Sequence, residues 1–240
     1  MRRLAGARLG RVGVSGGSQG GWVAPLAASR EKVDFVIVSY GLISSPLQQN
    51  RDQTLLELGE KGYSARDIAE AAEVTDAAAA VMRSQFTTGL EAFSDARATY
   101  AKRPWFKQLN GQFTGQLVKY LSWILKLVGR FVGVGTTWDC ESLRVLKVLD
   151  TPMLWILAGD DMLAPNASTQ RDLIALQRDG RPITTVVFPG TDHGMREFTA
   201  GADSVRRYTR ITAGYHAMVL DWARTGTLAT PYGAERRLTP

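Results

Sequence analysis

The feature that most constrains this chain is Gly16-Gly17-Ser18-Gln19-Gly20, which follows the short apolar run Arg11-Val12-Gly13-Val14 and leads into Gly21-Trp22-Val23-Ala24-Pro25-Leu26-Ala27-Ala28. A G-x-S-x-G placed where a strand passes into a helix demands a very tight turn. Side chains two residues to either side of the serine would collide there, and Gly16 and Gly20 remove the Cβ atoms that would clash. The strained turn lifts the hydroxyl above the sheet, within reach of a base. The pattern therefore points to Ser18 as an activated nucleophile. The competing reading is a chance match in a chain with 24 glycines. The strand pattern before the motif and the helical pattern after it weigh against chance.

A serine nucleophile needs a base to take its proton and an acid to orient that base. Histidine suits the first task near neutrality, and the chain has only two, His193 and His216. His193 lies in Phe188-Pro189-Gly190-Thr191-Asp192-His193-Gly194-Met195, a turn-rich loop after the strand pattern Ile183–Phe188. Loops at the C-terminal ends of parallel strands form the ligand edge of such sheets. His216 falls in a helical stretch and takes a surface or packing role. For the acid, the buried-strand pattern Met153–Ala158 is followed by Gly159-Asp160-Asp161-Met162-Leu163-Ala164-Pro165. Asp161 is the first candidate, Asp160 the second and Asp192 a distant third, because Asp192 adjoins the base in sequence. Solvated turn aspartates are the ordinary alternative. The order Ser, Asp, His favours the triad.

With these blocks in place the chain resembles the α/β-hydrolases. Gly-x-Ser-Gln-Gly-Gly-Trp-Val-Ala-Pro, Pro-Met-Leu-Trp-Ile-Leu-Ala-Gly-Asp-Asp-Met-Leu-Ala-Pro and Phe-Pro-Gly-x-Asp-His-Gly look like that family's nucleophile, acid and histidine blocks. They are most similar to the branch of dienelactone-hydrolase-like and prolyl-oligopeptidase-like enzymes. The resemblance runs to about residue 225. It implies Ser18 as nucleophile, Asp161 as acid, by its spacing to Ala164-Pro165, and His193 as base. It also implies the backbone N–H of Gln19 as one oxyanion donor. Ala158 stands where the family often has glycine. In the family several strands precede the nucleophile strand, and here Ser18 comes almost at once. Residues 1–9 look like the tail of the helix that leads into that strand. The fold expected is the C-terminal part of an α/β-hydrolase, a parallel sheet of about four strands with a helical cap insertion. The nucleophile strand would then be an exposed edge able to pair with a second copy. The second oxyanion donor would be missing, and loss of one such donor costs on the order of 100- to 1,000-fold in rate.

Along the chain, residues 1–44 read as the nucleophile half of the core, 45–145 as the helical cap insertion and 146–240 as the acid and histidine half. The first part gives a strand at 11–14, a helix over 19–30 with a kink or a local loss of hydrogen bonding at Pro25 and a strand over 33–40. The last gives strands at 153–158 and 183–188, a helix over 167–177, a final helix from about Ala202 to Ala223 and a loose tail from Thr225. Strands alternating with helices indicate a parallel sheet. Within the insertion, Ser64-Ala65-Arg66-Asp67 reads as a capping box before a helix over 68–82. Gln116–Val134 is apolar but interrupted by Lys119, Lys126 and Arg130, whose spacing of seven and four puts them on one helix face. That is too much charge for a spanning helix. A buried cap helix with one wet stripe is preferred to a membrane-surface helix. Trp105, Phe106, Trp123 and Trp138 are candidates for the apolar wall of the pocket.

The remaining composition mostly excludes. A lone Cys140 allows no intrachain disulfide and leans toward a cytoplasmic setting. Two histidines and one cysteine make no conventional metal site, and no nucleotide fingerprint is present, so neither metal nor cofactor is expected. The net charge of +6 is spread along the chain and forms no nucleic-acid module. The expected partner is a small ester or amide substrate. An esterase working through an acyl-enzyme is the first reading. A peptidase or amidase follows, and then a weak scaffold completed by strands from another chain.

Overall fold

The computed structural model describes residues 10–132, 136–140, 142–201, 205–228 and 231–240. In chain order the regular elements begin with β1 (Gly13–Gly17), α1 (Gly20–Arg30) and β2 (Phe35–Ser39). There follow α2 (Pro46–Glu60), α3 (Ala65–Arg83), α4 (Leu90–Tyr100), α5 (Thr114–Leu117), α6 (Ser122–Val128) and α7 (Ser142–Leu146). The last part holds β3 (Met153–Ala158), α8 (Ala167–Arg178), β4 (Ile183–Phe188), β5 (Thr191–Asp192), β6 (Arg196–Ala200), β7 (Arg206–Ile211), α9 (Tyr215–Thr225) and β8 (Arg236–Leu238). The described residues fall into two compact units, one within Met1–Ser44 and Glu141–Pro240, the other within Ser45–Cys140. Residues 1–9, read above as the tail of a helix, lie outside the described residues.

The first unit is built on a mostly parallel sheet of order β1-β2-β3-β4-β8, the α/β architecture expected. Its middle strands are Phe-Val-Ile-Val-Ser and Met-Leu-Trp-Ile-Leu-Ala, buried at every position. Uninterrupted apolar runs of this kind belong to parallel strands covered on both faces. Alternation then sorts the side chains. Val36, Val38, Met153, Trp155 and Leu157 pack on one face with Ala24 and Ala28 of α1 and Leu173 and Leu176 of α8. Phe35, Ile37, Leu154, Ile156 and Ala158 pack on the other with Met218 and Trp222 of α9. The indole N–H of Trp155 donates to the Gly41 carbonyl at 2.8 Å, so the bulkiest core residue leaves no unpaired donor. Helix α1 runs from Gly20 to Arg30 with Pro25 inside it.

Two expectations for the C-terminal part are corrected. Residues 206–211 are strand β7, which pairs antiparallel with β6, and the helix begins only at Tyr215. Arg-Arg-Tyr-Thr-Arg-Ile carries β-branched and aromatic residues, and Gly214 at φ 85° sets the late helix start. The tail is not loose: Arg236, Arg237 and Leu238 pair antiparallel with Val187, Val186 and Thr185. A three-residue strand is too short to announce itself by alternation. It is held by Tyr232, which is buried and donates its hydroxyl to Asp221 at 2.7 Å.

The second unit is helical. Its core gathers Leu58, Val74, Val81, Phe93, Trp105 and Trp138 among others. The capping box forms as read: the Ser64 hydroxyl accepts the Asp67 N–H, and the Asp67 carboxylate accepts the Ser64 N–H. An apolar groove of about 400 Å³, open to solvent, lies on this unit, lined by Met82, Phe86, Phe113, Leu117 and Leu125 among others. Segment 116–132 departs from its reading. It breaks after α5, turns through Tyr120, restarts as α6 and ends in a 3₁₀ turn at Gly129–Phe131. Leu121 in extended conformation precedes Ser122 and resets the helical phase, so the seven-residue spacing does not run along one helix. The Arg130 side chain lies outside the described part. Trp123 at 64% exposure and Phe131 at 68% contradict a buried helix with one wet stripe. Among the described residues no helix is long and apolar enough to cross a membrane.

Candidate active site

Strand β1 ends at Gly17 and α1 begins at Gly20, so the chain must reverse direction over two residues. It does so with Ser18 at φ 53°, a left-handed conformation that costs a non-glycine residue on the order of 1–3 kcal/mol. A Cβ on Gly16 would stand 2.8 Å from the Cα of Gly20, which explains the first glycine of the motif. At Gly20 a Cβ would meet nothing within 4 Å. The crowding therefore acts at Gly16, and the symmetric clash expected at both glycines is absent. The turn is fastened by the Ser18 N–H to the Ser39 carbonyl at 2.9 Å and by the Gly21 N–H to the Ser18 carbonyl at 3.0 Å. Gln19 is the N-cap of α1, and its N–H opens the helix beside Ser18.

The acid loop follows β3 and the histidine loop follows β4, its parallel neighbour. Adjacent parallel strands bring their C-terminal loops side by side, and hydrogen bonds stitch these two together. The Gly159 N–H reaches the Phe188 carbonyl at 2.8 Å, and the Asp160 N–H reaches the Thr191 carbonyl at 2.9 Å. On this frame Asp161 Oδ2 lies 2.9 Å from His193 Nδ1, and His193 Nε2 lies 3.1 Å from Ser18 Oγ. The Asp161 side chain is 1% exposed and that of His193 21% exposed. Asp161 Oδ1 accepts the Ala164 N–H at 2.7 Å, which fixes the carboxylate's rotation. A carboxylate on one ring nitrogen settles the tautomer: Nδ1 carries the proton, and Nε2 faces the serine hydroxyl as an acceptor. Tyr40 packs edge-on against the imidazole, with ring centroids 5.0 Å apart.

The structure thus brings Ser18, His193 and Asp161 into one row and separates the three aspartates. Asp160 Oδ2 accepts the Gly190 N–H at 2.7 Å and closes a turn. Asp192 does not touch the imidazole through its carboxylate. Instead it binds the backbone N–H of Met162 and of His193, along with Arg206 and Tyr208. Burial raises its pKa, but these donors outweigh burial and hold it below the usual carboxylate value. Tyr40, Arg206 and Tyr208 escaped the sequence reading. Arg206 and Tyr208 lie in a stretch read as helix. Tyr40 has no motif around it, although a tyrosine at φ 42° marks a special position once the backbone is known. Trp105 and Trp138 are buried in the helical unit and Phe106 packs against its core, whereas Trp123 is exposed. His216 is exposed on α9. Among the described residues, His, Cys, Asp and Glu form no group of three able to hold a metal ion.

No family model matches the sequence, and the comparison with curated proteins finds no match. Similar solved structures include proline iminopeptidase of Mycobacterium smegmatis at 20% identity and TM-score 0.38, over 76% of this chain and 58% of that one. A monoacylglycerol lipase of Paleococcus ferrophilus is 15% identical with TM-score 0.35, over 78% and 62%. The alpha/beta hydrolase GrgF of Penicillium sp. sh18 is 16% identical with TM-score 0.34, over 75% and 56%. The chain therefore spans 56% to 62% of the length of these three proteins. Likeness at this level assigns no reaction and no residue here, and the chemistry has to be argued from the site.

Proposed function

We propose that this chain is a serine hydrolase of the α/β-hydrolase kind that cleaves carboxylic esters through an acyl-enzyme. The observation that carries the reading is the row Ser18 Oγ, His193 Nε2 and Nδ1, Asp161 Oδ2, with spacings of 3.1 and 2.9 Å. A hydroxyl is a poor nucleophile unless its proton has somewhere to go as the new bond forms. Nε2 accepts that proton while Oγ bonds to the ester carbonyl carbon. Asp161 stabilises the imidazolium that results. The carbonyl oxygen gains negative charge, and the N–H of Gln19, at the positive end of α1, is the donor assigned to it. Collapse of the tetrahedral species breaks the bond to the leaving alkoxide, which takes the proton from Nε2. Water then attacks the acyl carbon, giving its proton to Nε2; the acyl–Oγ bond breaks, Ser18 Oγ takes that proton back and the carboxylic acid leaves. The strained turn is consistent with this role, with Ser18 at φ 53° and partly exposed.

The test is intact mass spectrometry during turnover of short p-nitrophenyl esters. The expected result is an acyl adduct on Ser18 and a burst of nitrophenol equal to the protein concentration. A folded protein that releases nitrophenol no faster than its Ser18→Ala variant contradicts the proposal.

A further inference from the structure

Ser18, His193 and Asp161 stand on three separate loops, so their spacing must be set by something besides the bonds they make to one another. Asp192 spans two of those loops. Its Oδ1 accepts the N–H of Met162, the residue after Asp161, at 3.0 Å, and the N–H of His193 at 2.7 Å. Its Oδ2 accepts the Arg206 guanidinium at 2.7 Å and the Tyr208 hydroxyl at 2.9 Å, both from β7. The side chain is 3% exposed. A buried carboxylate is tolerated only when its charge is paired and its lone pairs are filled, and here four donors do both. Arg206 also donates to the Asp160 carbonyl, so one guanidinium braces the acid loop at a second point. Burial first, then the hydrogen bond to Asp192 and the Asp192 charge, raise the Tyr208 pKa, which keeps its hydroxyl protonated as a donor.

We propose that Asp192 is a positioning residue: with Arg206 and Tyr208 behind it, its carboxylate clamps the peptide units of the acid and the base, and so sets the contact between Asp161 and His193. The inference rests on the proposed hydrolase reading for its meaning, but the clamp itself can be measured without any substrate. Asp192 acts only through the two loops. Because Arg206 neutralises it, Asp161 stays the carboxylate that serves the imidazole.

The experiment is proton NMR of protein labelled with ¹⁵N-histidine. The chain has two imidazoles, and His216→Gln removes the exposed one, which assigns the other. A proton on Nδ1 held against a buried carboxylate exchanges slowly with water and gives a far-downfield resonance. The expectation is that wild type shows this resonance for His193. In Asp192→Asn the amide cannot satisfy both pairs of donors, and solvent exchange of the proton quickens about tenfold or more, the factor expected for one lost charge-assisted hydrogen bond. Tyr208→Phe removes one outer donor from a half-exposed position and gives a smaller change in the same direction. It carries the test if Asp192→Asn does not fold.

No resonance in wild type, or exchange unchanged in the folded variants, overturns the clamp. In parallel, a fluorophosphonate probe is expected to inactivate Asp192→Asn about tenfold more slowly with its affinity unchanged. A wild type that shows the resonance but resists the probe would sink the hydrolase reading and leave the clamp standing. The two ideas can therefore fail separately.

Discussion

At the residue scale, three aspartates compete for one role, and geometry separates them. Asp161 faces the imidazole, Asp160 closes the Gly190 turn and Asp192 binds backbone amides. The account predicts that Asp161→Asn lowers ester kcat/KM by about 10⁴-fold, because the amide favours the wrong tautomer. Asp160→Asn should cost less than about tenfold, since a side-chain carbonyl still accepts the Gly190 N–H. Steady-state kinetics on the two variants checks the pair. Asp192 yields a different prediction. Its folded pKa lies below its ordinary value of 3.8, so its contribution to stability is present above that value and fades as pH falls through the lower one. The melting-temperature gap between wild type and Asp192→Asn should therefore narrow from neutral pH to about pH 2.5. A gap that stays constant or widens contradicts the assignment. Ser18, Asp161 and His193 were legible because each sits in a block whose residue types and strand context carry meaning together. The work of Asp192 was not, since its partners Arg206 and Tyr208 are more than ten residues away and reach it only after the hairpin forms.

At the element scale, strands and helices with strong burial patterns could be read directly, and short or interrupted ones could not. Met153–Ala158 announces itself by unbroken apolar content, Phe35–Ser39 by four apolar residues in a row, and Ile183–Phe188 by its β-branched and aromatic residues. The capping box at Ser64 announces the start of α3. By contrast, β7 carries three arginines, and β8 is three residues long with only Leu238 apolar. Tertiary pairing makes these strands: β7 has Tyr208, Thr209 and Ile211 to favour a strand but no apolar alternation, and β8 is too short to show any. Segment 116–132 was misread because spacing alone assumes one continuous helix. Its tryptophan gives a direct check. Trp105→Ala, at a fully buried position, should destabilise by about 3–5 kcal/mol. Trp123→Ala, at an exposed one, should stay within about 0.5 kcal/mol. Equal losses in denaturant melts would contradict the break in this segment.

At the scale of the whole molecule, the candidate site belongs to the unit that holds the sheet, and all three side chains of the row come from loops at one end of its parallel strands. Strand β3 lies in the middle, with every residue at 0% exposure, while β1 is at an edge of the sheet among the described residues. Native-state hydrogen exchange should therefore be slowest in β3 and faster in β1 and β8. Protection in β1 equal to that in β3 would mean that something pairs with that edge in solution. The parallel architecture was readable from the alternation of strand and helix patterns, whereas the antiparallel addition of β8 was not.

The central claim is that His193 activates Ser18, and covalent labelling by a fluorophosphonate, read by intact mass, tests it most directly. The account predicts a single adduct on wild type, none on Ser18→Ala, and labelling of His193→Ala slowed by roughly 10⁴-fold or more. A folded wild type that takes no adduct, or a His193→Ala variant that labels as fast as wild type, would contradict it.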